Sequence, residues 1–143
     1  MRLTKREAEY LKTLYMLRER GIEIIPPKIV AKKIKVSIPA VVEMLKRLSA
    51  KGLVEYIEWR GVRLSDDGLK IALRITRAHR LMELLLVKVV GIDVKTACKE
   101  VSSIDFLLSE EVVDSICKFL GHPSKCPHGR KIPRSAVCCG EDS

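Results

Sequence analysis

The sequence predicts a mainly α-helical chain in which an N-terminal winged helix-turn-helix, with a small two-stranded wing, is followed by a second, helical domain. Three observations predict it. Two short amphipathic segments meet at the tight turn Val36-Ser37, and the second opens on Ser37-Ile38-Pro39. Two strand-like runs, residues 53–57 and 62–64, come next and flank Glu58-Trp59-Arg60-Gly61. Only helix-period patterns follow, in a chain that is 47% hydrophobic, 31% charged and 4% aromatic, a composition suited to aliphatic-rich helices.

Each element has its own warrant. Thr4-x-x-Glu7 has the form of a capping box, and Ala8, Leu11, Leu14, Tyr15 and Leu17 repeat at helical spacing behind it, so a first helix runs from about residue 5 to Glu19. Pro27, with its fixed φ and missing N–H, opens a second helix carrying Ile29, Val30, Ala31 and Ile34. Ser37 caps the third, Pro39 is tolerated in its first turn, and Val41, Met44, Leu45 and Leu48 form one apolar stripe before Gly52. Ser65-Asp66-Asp67 then starts a long helix to about Val90, ended by Gly91. Asp93 caps a helix to about Phe106, and Ser109-Glu110-Glu111 caps another ending at Leu120-Gly121. Pro123, Pro127 and Pro133 predict an irregular tail, loose from residue 140 onward. The expected domains are residues 1–71 and 72–143.

A chain of 143 residues holds a small module and a helical companion, too little for a large two-domain enzyme. The net charge is +9, and it is uneven: residues 1–71 carry 16 Lys and Arg against 9 Asp and Glu, residues 72–143 carry 11 against 9. A local basic excess on a helix-turn-helix points to double-stranded DNA. The N-terminus has no signal-peptide core and no run reaches membrane-span length, which predicts a cytoplasmic protein without a membrane partner. Five cysteines, three of them after residue 125, fit reduced thiols or metal ligands better than a disulfide framework. There is no Cys-x-x-Cys, no glycine-rich phosphate loop and no His/Asp pair placed to activate a nucleophile, so neither an enzyme nor a small-molecule substrate is expected.

A recognition helix needs a low-profile leading turn to enter the major groove and cations where phosphates pass. Ser37, Pro39 and Ala40 supply the turn. Glu43 is placed to accept from a cytosine amino group, while Lys46, Arg47 and Lys51, with Arg60 in the wing, are candidates for phosphate contacts.

Several segments are similar to a known family: Glu9-Tyr10-Leu11-Lys12-Thr13-Leu14-Tyr15, Val36-Ser37-Ile38-Pro39-Ala40-Val41, Leu64-Ser65-x-x-Gly68, Arg77-Ala78-His79-Arg80-Leu81-Met82-Glu83 and Cys126-Pro127-His128-Gly129-Arg130-Lys131-Ile132-Pro133. On these the chain resembles the diphtheria toxin repressor family of metal-dependent transcription regulators, in its short two-domain form. The resemblance implies a homodimer on a palindromic operator, a helical second domain for dimerisation and metal binding, and divalent iron or manganese as co-repressor. Carried over residue by residue, it makes His79 and Glu83 ligands, adds Glu9 from the first helix, and leaves Cys98 and Asp105 as donors in the next. Where the family has further ligands in that helix this chain has Ser102 and Phe106, which removes donors. The remaining mixture of nitrogen, oxygen and sulfur favours iron(II), or zinc, over manganese.

The tail supplies a second candidate set by spacing: Cys126, His128, Cys138 and Cys139, enough for a closed tetrahedral site. Cys117, between Ile116 and Phe119 in the chain neighbourhood, reads as core. Two alternatives stay open: a thiol or iron-sulfur redox sensor that binds DNA, and a constitutive DNA binder that has lost its metal.

Overall fold

The structure is a computed structural model that describes residues 2–140, so the expectation for residues 141–143 lies outside the described residues. The chain divides into two compact units between Leu73 and Arg74.

In the first unit, α1 (Lys5–Glu19) begins where the Thr4 hydroxyl accepts the Glu7 N–H at 3.1 Å. α2 (Pro27–Ile34) starts on Pro27 and stops at Lys35, which turns left-handed at φ 64°. α3 (Ile38–Ala50) is capped by Ser37, whose hydroxyl accepts the Ala40 N–H at 3.2 Å. The inward faces are aliphatic: Ala8, Leu11 and Leu14 from α1, Val30 from α2, and Val41, Leu45 and Leu48 from α3 are all buried. Burial of each leucine and valine stabilises by about 1.5–3 kcal/mol before chain entropy is subtracted. β1 (Val54–Ile57) and β2 (Gly61–Leu64) pair antiparallel, Val54 opposite Leu64, and Ile25 adds a two-bond bridge to Val62. The Gly of Leu64-Ser65-x-x-Gly68 has a steric cause, since a Cβ on Gly68 would stand 1.8 Å from the Leu53 carbonyl oxygen.

α4 (Asp66–Leu85) begins in the first unit and continues into the second. The predicted α-helix to Val90 ends instead at Leu85, and residues Leu86–Val90 form one wider, π-helical turn closed by Gly91 at φ 86°. Three of those five residues are β-branched valines, which lose rotamer freedom in a regular helix. α5 (Val94–Val101) is capped by Asp93 but stops short of the expected Phe106. Ser102 donates its hydroxyl proton to the Cys98 carbonyl at 2.9 Å, the local competition that makes serine a poor helix propagator. Residues 102–107 continue as turns.

α6 (Glu110–Phe119) starts on the Ser109 cap as expected. The tail is more ordered than its prolines suggest: Lys125 and Lys131 form a bridge, and Ala136–Cys139, free of Pro and Gly, makes a single helical turn, α7. Two buried arginines of α4 hold it, Arg77 donating to the Pro133 carbonyl at 3.0 Å and Arg80 to the Lys131 carbonyl at 2.6 Å. Ala78, Leu81, Val113, Cys117, Cys126 and Ile132 form the core of this unit.

Candidate nucleic-acid interface and metal centre

α3 buries Val41, Leu45 and Leu48, half-buries Val42, Met44 and Ser49, and exposes the others. Ser37, Pro39, Ala40, Glu43, Lys46 and Arg47 are all exposed, so the low leading turn and the two cations share the outer side of one helix. Arg60 is exposed in the wing turn beside Trp59, a side chain 97% exposed on a residue at φ 62°. In the sequence Trp59 reads only as part of that turn. An aromatic between two strand-like runs, with no apolar neighbour in the turn itself, was the available signal.

Lys51, expected among the phosphate contacts, is paired within the module: its ammonium lies 2.6 Å from the carboxylate of Glu7, a side chain only 2% exposed. Removing a carboxylate from water is costly unless a cation compensates it, and Lys51 does so within the module. Glu7 therefore spends its carboxylate on Lys51 instead of reaching back to close the capping box. Glu9, also in the first unit, accepts from Arg6 at 3.0 Å.

In the second unit His79, Glu83 and Cys98 each bring one donor atom within 4.8 Å of the others. His79 and Glu83 lie four apart on α4, hence on one face, and Cys98 comes from α5. The His79 Nε2 is 3.1 Å from Glu83 Oε2 and 3.5 Å from Cys98 Sγ. Asp105, expected as a donor beside His79, meets the other ring nitrogen: its Oδ2 lies 2.9 Å from Nδ1. A carboxylate on Nδ1 orients the ring and leaves Nε2 facing Glu83 and Cys98. Glu83 is 1% exposed, and its second oxygen receives His128 Nδ1 at 2.7 Å. Burial pushes the Glu83 carboxyl up, but the contacts with His79 and His128 prevail and hold it below the usual carboxylate range.

The tail set splits. Cys126 and His128 join Glu83 in one group, whereas Cys138 and Cys139 join Cys117 and His122 in another. The division follows the chain path, because the turn after Pro133 carries α7 to α6 while Cys126 packs into the core beside α4. Cys117 is buried as expected, yet its sulfur faces this second group. Burial works against ionising Cys139, but a backbone hydrogen bond from Ser135 and the side chains of His122, Cys117 and Cys138 hold its thiol below the usual range; burial pushes Cys117 up.

Comparison with known proteins agrees across both units. The family model for the iron dependent repressor N-terminal DNA binding domain matches residues 2–62, and the model for the iron dependent repressor metal binding and dimerisation domain matches residues 65–134. The diphtheria toxin repressor of Corynebacterium diphtheriae is 32% identical over 124 residues, 87% of this chain and 54% of the relative, so the chain spans about half the length of the curated relatives it matches. Among solved structures, the manganese regulator SloR superimposes with a TM-score of 0.79 at 36% identity, over 90% of this chain and 59% of that one. A hypothetical protein from Sulfolobus solfataricus superimposes with a TM-score of 0.69 at 38% identity, over 92% of this chain and all of the other.

Proposed function

The chain belongs to the iron-dependent repressor family, and from that premise we propose that it is a metal-responsive transcription regulator, a repressor that binds a palindromic operator as a homodimer in the cytoplasm. The observation that carries this reading is the convergence of His79, Glu83 and Cys98 on one point, in a unit that follows an exposed, basic recognition helix.

The donors fit a divalent transition metal. An imidazole, a buried carboxylate and a thiol make a mixed set that favours iron(II) or zinc over manganese. Held there, the ion supplies a positive centre that neutralises the Glu83 and Cys98 charges together. His79 presents Nε2 because Asp105 holds Nδ1, and Glu83 is kept ionised by its two histidine neighbours. Ser102, whose hydroxyl is committed to the Cys98 carbonyl, and Phe106, which has no donor, contribute nothing.

In the first unit Ser37, Pro39, Ala40 and Glu43 would meet base edges and Lys46, Arg47 and Arg60 the phosphates, with Trp59 at the wing tip beside them. Dimerisation is supported by an open, mostly apolar groove in the second unit lined by Leu85, Val112, Ile116 and Phe119 together with Glu111 and Ser115, where Val112 is 45% and Phe119 69% exposed. A second copy would cover that surface. The effector acts only through a difference in its affinity for the DNA-ready arrangement, and a tenfold shift requires about 1.4 kcal/mol.

Equilibrium dialysis of the reduced protein against iron(II), manganese(II) and zinc(II), without oxygen, tests the site. Of the equivalents bound, one should be lost or weakened about tenfold or more in His79→Ala, with zinc or iron(II). Equal binding by the wild type and His79→Ala would refute the assignment.

A further inference from the structure

Three thiols and an imidazole meet in the second unit at a place where none of the His79 set lies. Cys117 near the end of α6, His122 just beyond it, and Cys138 and Cys139 of α7 each bring one donor atom within 4.8 Å of the others. Cys117 Sγ is 3.4 Å from His122 Nδ1 and 3.6 Å from Cys139 Sγ; Cys138 Sγ is 3.8 Å from the same nitrogen. A tetrahedral ion with Zn–S near 2.3 Å and Zn–N near 2.0–2.1 Å spaces its donors about 3.8 Å from sulfur to sulfur and about 3.6 Å from sulfur to nitrogen. These three of the six separations agree with those edges to about 0.2 Å, and the other three lie within 4.8 Å. Thiol hydrogen bonds account for such contacts one pair at a time; they do not require four donors to converge. A disulfide would use two of the sulfurs and leave the third, and the imidazole, unexplained.

We propose that Cys117, His122, Cys138 and Cys139 form a closed Cys3His site for one structural zinc ion, separate from the effector site. The backbone is shaped to build it. α6 ends in a reversal through Gly121 and His122, the latter at φ 54°, closed by the His122 N–H on the Cys117 carbonyl at 2.9 Å. A β-substituted residue in the left-handed region is uncommon and costs on the order of 1 kcal/mol, here incurred where it brings the ring back over the last turn of α6. α7 is a single turn of four residues, too short to be stable alone, so it needs an anchor on α6. Adjacent cysteines in that turn both reach the same point.

The surroundings suit the charge. Three thiolates on a divalent ion leave one negative charge, and the buried guanidinium of Arg77 approaches Cys139 Sγ at 4.0 Å while pairing with Asp114 at 3.0 Å. The soft donor set selects zinc or iron(II) from harder cations, and donors gathered this closely suit one ion, not a cluster whose thiolates sit on separate irons. His122 is exposed, which leaves an entry path. Bound there, zinc would staple the tail to α6 and add directly to folding free energy.

The test uses the full reduced chain with cobalt(II) as the probe, in two variants. His79→Ala/Glu83→Gln should still take up one cobalt per chain with intense near-ultraviolet thiolate-to-cobalt absorption and tetrahedral visible bands, and one equivalent of zinc should abolish both. Adding Cys138→Ser/Cys139→Ser to that variant should abolish the spectrum, and in the otherwise wild-type chain the same pair should remove one equivalent of zinc by elemental analysis and lower the unfolding midpoint. If circular dichroism shows that the cysteine variant does not fold, His122→Ala, altered at an exposed residue, is added to the His79→Ala/Glu83→Gln variant in its place; with three thiolates left, cobalt affinity should fall about tenfold or more and the visible bands should move. Retention of the spectrum once the cysteine changes are added, unaltered bands and affinity once His122→Ala is added, or absence of the spectrum from the His79/Glu83 variant itself would overturn the proposal.

Discussion

Exchanging cations on α3 separates a DNA-facing role from an internal one. Lys46 and Arg47 point to solvent, whereas Lys51 is paired with buried Glu7. If Lys46, Arg47 and Arg60 each neutralise one phosphate, a dimer contacts about six, and log affinity falls against log salt with a slope of about −5.4. Raising salt from about 50 to 200 mM then weakens binding about 2,000-fold. Lys46→Ala/Arg47→Ala leaves about two contacts, a slope of about −1.8 and a loss of about 12-fold over the same interval. Lys51→Ala should keep the wild-type slope but lose stability, because it strands the Glu7 carboxylate. Breaking a fully buried pair costs about 3–5 kcal/mol, and since Lys51 is 31% exposed the loss should be nearer about 1–3 kcal/mol. Fluorescence anisotropy with a labelled duplex across a salt series gives the slopes, and urea unfolding the stability. A flattened slope in Lys51→Ala with an unaltered one in Lys46→Ala/Arg47→Ala would refute this division of labour.

Three further outcomes are expected. Asp105→Asn should weaken zinc binding about 10- to 100-fold by freeing the His79 ring, yet leave duplex affinity at saturating zinc unchanged; dialysis and anisotropy together check it. Gly68→Ala should cost about 1–3 kcal/mol in urea, because the added Cβ meets the Leu53 carbonyl, and an unchanged midpoint would show that helix and strand can part there. Glu83 has its carboxyl held below the usual range, so in metal-free protein its contribution is complete above the unfolded value of about 4.3 and fades as the pH falls through the lower folded value. The stability difference between the wild type and Glu83→Gln should therefore persist from pH 6 down to about 4.3 and shrink only below it; shrinkage starting above that value would contradict the assigned direction.

What was legible in the sequence was local. Thr4, Ser37, Asp93 and Ser109 cap helices because each has an acceptor side chain within reach of the N–H three residues on, a relation visible in a short window. The wing and its turn were legible for the same reason. Long-range partners were not. Nothing around Lys51 indicates that a carboxylate 44 positions earlier takes its charge. His79, Glu83 and Cys98 came through the family resemblance, but the orienting place of Asp105 depends on how residues 102–107 turn after α5 stops at Val101. Cys138 and Cys139 were grouped with Cys126 and His128 because these were the nearest donors along the chain. The fold takes Cys139 instead to Cys117, 22 residues away, at the far end of a reversal that no local pattern revealed.

One measurement bears most directly on a metal-switched DNA-binding dimer: selection of duplexes from a random pool by the reduced protein, with iron(II) or zinc present and again after chelation. A metal-responsive repressor should enrich inverted repeats whose half-sites lie one helical turn, or a multiple of it, apart, and release them on chelation. Enrichment of the same duplexes with and without metal, or of none under either condition, would contradict it.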